Sequence, residues 1–211
     1  MTETMCAEQA VYRVRRFCRK GEVPKKYLGT FELIDDHTKQ VMAVCDLIGK
    51  ATFTTTTIKD HEQQAWQMKP NRNIMPSRWV VSDPRPNIAM QFDQKIVSKM
   101  ANPLQKTILA LLDDEGKELY RLADPRTNIP DRIMGAGPDS WELMRGDTSV
   151  ATVGRLSRQS EPSKGFLSKL KKMLANSERG MISADNHHAL PAPLALAMVL
   201  LLSELTENPG G

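Results

Sequence analysis

From Ala189 to Leu202 the chain reads ALPAPLALAMVLLL, without one charged or hydrogen-bonding side chain. A helix lying on a protein surface shows a polar stripe every 3.6 residues; this stretch has none and must be covered on all sides. Its fourteen residues fall short of the ~20 that a membrane-spanning helix needs, and two of them are prolines. The length fits a helix buried inside protein, with Pro191 and Pro193 at its entry. Ser203, Glu204 and Glu207 are expected to mark the return to water. The rest of the chain must therefore supply the cover.

With 211 residues, 26% of them charged and 40% apolar, the sequence has the composition of a globular domain with a sizeable core. We expect a polar terminus over residues 1–9 and a single domain over 10–208. A net charge of +4 permits anionic partners without demanding them. Cys6, Cys18 and Cys45 are odd in number and lack CxxC spacing, so reduced thiols in a cytoplasmic setting are expected. The opening MTETMCAEQA has no apolar run of the kind a secretory signal needs.

Short runs rich in β-branched and aromatic residues recur along the chain. They fall at Ala10–Cys18, Lys26–Ile34, Gln40–Leu47, Ala51–Lys59, Glu62–Lys69, Trp79–Ser82 and Asn87–Asp93. The same grammar returns at Thr107–Leu112, Glu118–Ala123, Ser140–Met144 and Ser149–Arg155. Spacing of this kind predicts a mainly β architecture, a sandwich or barrel. Leu33-Ile34-Asp35-Asp36 with Val44-Cys45-Asp46 matches Leu111-Leu112-Asp113-Asp114 with Leu122-Ala123-Asp124 at one constant offset. Trp79 with Ile88-Ala89 matches Trp141 with Val150-Ala151 at another. Such self-similarity predicts a duplicated supersecondary unit. Residues 161–180 then change period, with Phe166, Leu167, Leu170, Met173 and Leu174 on one side and lysines around the other. That pattern predicts a short, basic, amphipathic helix.

Doubled hairpins, the run Gly154-Arg155-Leu156-Ser157-Arg158-Gln159 and an all-round apolar final helix together resemble the tubby-like barrels. Phospholipid scramblases and LURP-one-related proteins share that architecture. The resemblance implies a closed antiparallel β-barrel of two repeated halves around the C-terminal helix. Scramblases also carry an acidic calcium segment before that helix. Here the segment is Ser183-Ala184-Asp185-Asn186-His187-His188, with one carboxylate where calcium wants six to eight oxygens. The resemblance therefore implies the fold without calcium-driven scrambling.

Candidate chemistry is sparse. His187-His188 beside Asp185 reads as a polar loop, because no further ligand stands at metal spacing. Gly49-Lys50-Ala51-Thr52 lacks the upstream glycine and following helix of a phosphate loop. No Gly-x-Ser-x-Gly is present, and no catalytic residue, metal or cofactor is assigned. Nucleic acid is not expected, since aromatics are only 5% and no recognition motif accompanies the charge. The expected function is a non-catalytic module for an anionic lipid or membrane surface. Phe166, Leu167, Lys169, Leu170, Lys171 and Lys172 are its candidate contacts, and Arg13, Arg15 and Arg16 form a secondary basic patch. A small-molecule-binding barrel and a protein-interaction scaffold are the rival readings.

Overall fold

The structure, a computed structural model, describes residues 9–72, 74, 76–84, 89–94, 107–126, 140–154, 177–185 and 190–207. It is mainly β. The strands are β1 (Gln9–Phe17), β2 (Tyr27–Asp35), β3 (Val41–Ile48), β4 (Thr56–Asp60), β5 (Ala65–Pro70) and β6 (Arg78–Ser82). They continue as β7 (Ala89–Gln94), β8 (Thr107–Leu112), β9 (Glu118–Ala123), β10 (Ser140–Arg145), β11 (Thr148–Gly154) and β12 (Ser177–Asp185). The single described helix, α1, spans Ala192–Glu207. All pairings are antiparallel and run through neighbours in sequence from β2 to β12. β1 hydrogen-bonds β2 on one side and β12 on the other, matching Val14 with Leu33 and Tyr12 with Ile182.

Period-two patterning sets which side faces the helix. Ile58, Trp66, Met68, Trp79, Val81, Trp141, Leu143 and Val153 are buried, while Thr57, Lys59, Gln67, Lys69 and Thr152 between them are exposed. These inward side chains join one core with α1, on which every residue from Pro193 to Ser203 is buried. Leu194, Leu196, Val199, Leu201 and Leu202 are each 0% exposed. Full burial of such a side chain stabilises the fold by roughly 1.5–3 kcal/mol. The absence of a polar stripe thus has its cause in cover on every side. α1 lies closest to β2, β3 and β4.

The turns repeat one chemistry. Asp113 sends its N–H to Lys117 O (3.0 Å), receives the Lys117 N–H on its carboxylate (2.8 Å), and is followed by Gly116 at φ +83°. Asp60 stands in the same relation to Gln64 (3.1 and 2.8 Å), with Gln63 at φ +63°. Asp35, one residue further from its partner strand, receives His37 and Thr38 N–H groups at 2.8 Å, with Lys39 at φ +60°. Hydrogen bonding, from the Thr38 N–H above all, holds the Asp35 carboxyl below the usual carboxylate range. The pairing of β2 with β3 slips between Leu33 and Ile34, and that of β8 with β9 between Leu111 and Leu112. The two bulges therefore fall at matching places in the two look-alike segments.

Several sequence expectations need correction. Ala51–Thr54 is a turn, and the strand begins only at Thr56, because the Ala51 and Thr52 N–H groups are taken by a side chain of α1. β5 likewise starts at Ala65, since Glu62–Gln64 belong to the Asp60 turn. Ser177–Gly180, expected as the tail of the amphipathic helix, opens β12, where pairing with β1 decides the conformation. Cys18, expected to close the strand-like run Ala10–Cys18, lies beyond β1 and is exposed. Ser203 is buried within α1 and donates to Val199 O (2.7 Å) rather than marking a return to water.

Candidate functional site

The arginines of β1 are engaged within the protein. Arg13 meets Asp36 at 2.9 Å, and Arg15 donates through Nε to Glu32 at 2.9 Å. Cross-strand register makes both pairs possible, because Arg15 stands opposite Glu32 and Arg13 opposite Ile34, two residues before Asp36. Arg16 stacks over the Phe31 ring, 5.6 Å from its centroid, and donates through Nε to Leu28 O at 3.1 Å. Gly29 at φ +141° leaves the room, since a Cβ there would sit 3.0 Å from Arg16 Nε. Arg19 beyond the strand meets Asp46 at 3.0 Å, and Asp46 in turn accepts from the buried Thr30 hydroxyl at 2.6 Å. The patch of Arg13, Arg15 and Arg16 is thus spent largely on internal pairing. The six contacts from Phe166 to Lys172 lie outside the described residues.

Beside these arginines the structure adds exposed apolar side chains, which the sequence does not single out, to the basic run that Lys20, Lys25 and Lys26 continue. Lys26 O receives the Gly49 N–H (2.9 Å), which ties the start of β2 to the loop after β3. Within that loop, Thr54 Oγ1 donates to Lys50 O (2.9 Å) and Phe53 N–H to Lys50 O (3.0 Å). Tyr27 faces Ile48 across the pair, and its N–H reaches back to Pro24 O (3.1 Å). The result is one end of the fold displaying Val23, Leu28, Ile48 and Phe53, exposed by 43%, 38%, 44% and 45%. Lys20, Lys25, Lys26 and Lys50 are exposed around them, and among the described residues none has an ion-pair partner. No sequence signal isolates this group. Its apolar members sit singly at strand ends and in a threonine-rich run.

The same loop is anchored from inside. Glu204 of α1 accepts the Ala51 N–H (2.7 Å), the Thr52 N–H (2.9 Å) and the Thr52 hydroxyl (2.7 Å). Trp79 Nε1 donates to Thr52 O at 3.0 Å. Gly49-Lys50-Ala51-Thr52, dismissed as a phosphate loop, does bind an oxyanion, and that oxyanion is the protein's own carboxylate.

Other reactive groups are quiet. Burial, with the Asp46 charge adding to it, pushes the Cys45 thiol up to about 12. Asp124 is held by Arg126 Nε and Nη2 at 2.9 and 2.6 Å, a charge-assisted fork over a buried carboxylate. Among the described residues no three His, Cys, Asp or Glu side chains are grouped to hold a metal ion. Asp185 ends β12, and Asn186 lies outside the described residues.

No family model matches the chain, and no curated protein does. Among solved structures, a crystal structure of a protein from Arabidopsis thaliana is similar at 10% identity and a TM-score of 0.46. The match covers 92% of this chain and 91% of that one. Among the described residues no helix is long and apolar enough to cross a membrane.

Proposed function

We propose that the chain is a tubby-like barrel of two repeated halves, related in fold to phospholipid scramblases and LURP-one-related proteins. In this reading it acts as a non-catalytic binding module for an anionic membrane surface. The observation that carries the functional part is the filled interior. Leu194 to Leu202 occupy the space that a small-molecule barrel would keep for its ligand, so recognition falls to the outer surface. Exposed lysines without acidic partners give that surface its sign, while Arg13 and Arg15 of β1 are neutralised by Asp36 and Glu32. The matched bulges and Asp-led turns of β2–β3 and β8–β9 support the duplication.

The expected amphipathic helix supplies a contact, with Phe166, Leu167 and Leu170 entering the interface and Lys169, Lys171 and Lys172 at the headgroups. Each lysine near an acidic leaflet contributes about 1 kcal/mol, and buried apolar side chains add to it. Co-sedimentation with vesicles over a panel of headgroups tests the function. Binding should need an anionic lipid and weaken with salt. A wild-type protein that stays in the supernatant at low salt overturns the reading.

A further inference from the structure

We propose that the end of the fold formed by the β1–β2 connection and the β3–β4 loop is itself a membrane-docking rim. In it Leu28, Ile48 and Phe53 enter the interfacial layer, and Lys20, Lys25, Lys26 and Lys50 face anionic headgroups. The inference rests on the membrane-surface reading above and places a contact on it that is independent of residues 166–172.

Three observations converge. The first is exposure. Four of the five large apolar side chains exposed among the described residues belong to this end, and they lie on segments hydrogen-bonded to one another. Scattered single apolar residues need no explanation, but a local group of them does. The second is charge. Between Lys20 and Leu28 the only acid is Glu22, and the four ammonium groups have no ion-pair partner among the described residues. Arginines next to them are matched one by one to carboxylates or a carbonyl. A protein partner of mixed charge would place acids opposite particular cations, whereas lysines on flexible stems around apolar tips match a diffuse anionic plane. The third is rigidity. Glu204 and Trp79 hold the Phe53 loop through Ala51 and Thr52, so its apolar tip is presented with little ordering left to do on binding.

The test uses the full chain with phosphatidylcholine vesicles, with and without phosphatidylserine. One variant carries Leu28→Ser, Ile48→Ser and Phe53→Ser, and a second carries Lys→Glu at 20, 25, 26 and 50. A third, Lys→Glu at 169, 171 and 172, separates the two contacts. Both rim variants should keep the wild-type melting temperature and bind phosphatidylserine vesicles roughly tenfold more weakly or worse. Phe53→Trp should show quenching by brominated acyl chains, which the wild-type tryptophans, all buried, should not show. If wild type binds and both rim variants bind within about twofold of it, the rim is overturned while the membrane reading stands, and the third variant then locates the contact. No binding by wild type overturns both. Capture of a protein partner through the rim, with vesicle binding unchanged, also overturns the proposal.

Discussion

Glu204 and Thr52 are joined twice: one carboxylate oxygen accepts both the backbone N–H and the hydroxyl of the threonine, at 2.9 and 2.7 Å. The other oxygen takes the Ala51 N–H. This contact fastens the last turns of α1 to the loop after β3. Buried donors stripped of a partner cost about 1–3 kcal/mol, more when the lost partner is charged. Glu204→Ala should therefore lower the melting temperature by several degrees, and Glu204→Gln by less, since one acceptor oxygen remains. Thermal unfolding of the two variants checks the order. Equal melting temperatures for wild type and Glu204→Ala would show the contact to be slack.

Leu200 tests the enclosure of α1. It is 2% exposed, deep in the apolar run. Leu200→Ala should destabilise by about 2–5 kcal/mol through lost burial and the cavity left behind. Leu200→Asp places an unpaired charge there and should abolish soluble expression. Soluble Leu200→Asp protein melting with the wild type would mean that the segment is not enclosed.

The two described thiols should differ sharply. Cys18 is exposed and Cys45 buried, its thiol held up at about 12 against an ordinary 9.0. In a Cys6→Ser background, a thiol reagent at neutral pH should label one cysteine in native protein and two after denaturation. The sign for stability follows from linkage. Native Cys45 keeps a proton that the unfolded chain gives up near 9, so its contribution is fully present below that pH. It is lost as pH rises towards 12. Cys45→Ala should flatten the alkaline limb of the stability profile; an unchanged limb would refute the assignment.

Much of this was legible in the residues, and the failures have local causes. PLALAMVLLL, from Pro193 to Leu202, announced its own burial because a helix without a polar side has nowhere else to go, while Pro191 before the helix is exposed. Asp35-Asp36 and Asp113-Asp114 marked turns because aspartate caps backbone N–H groups wherever it leads a reversal. Asp60 does the same, but Gln63 at the left-handed position carries no turn signature, so the strand after it was drawn too long. Thr52 looked like a strand residue because its partner, Glu204, is 152 positions away. β12 was hidden for a similar reason. SERGMISAD has neither period, and only pairing with β1 and β11 makes it a strand. Of the exposed rim, the basic run through Lys20, Lys25 and Lys26 was legible and the apolar tips were not, since exposure at a strand end is set by which loops close over it.

The matched turns at Asp60 and Asp113 allow one more experiment, in which the same backbone is tested with different side chains. Each Asp caps the residue four places on, and each third residue after it takes a left-handed φ: Gln63 at +63° and Gly116 at +83°. An L residue in that region costs roughly 1–2 kcal/mol in local sterics, while glycine forfeits about 0.5–1 kcal/mol of unfolded-state entropy. The steric cost is the larger, so glycine is the better occupant. A Cβ at Gly116 would meet nothing within 4 Å, so a change there reads out the backbone alone. Gly116→Gln should therefore destabilise by about 0.5–1 kcal/mol, and Gln63→Gly should stabilise by a similar amount. Denaturant midpoints at unchanged slope give both values. Changes of the same sign in the two variants would show that the turns do not share one geometry.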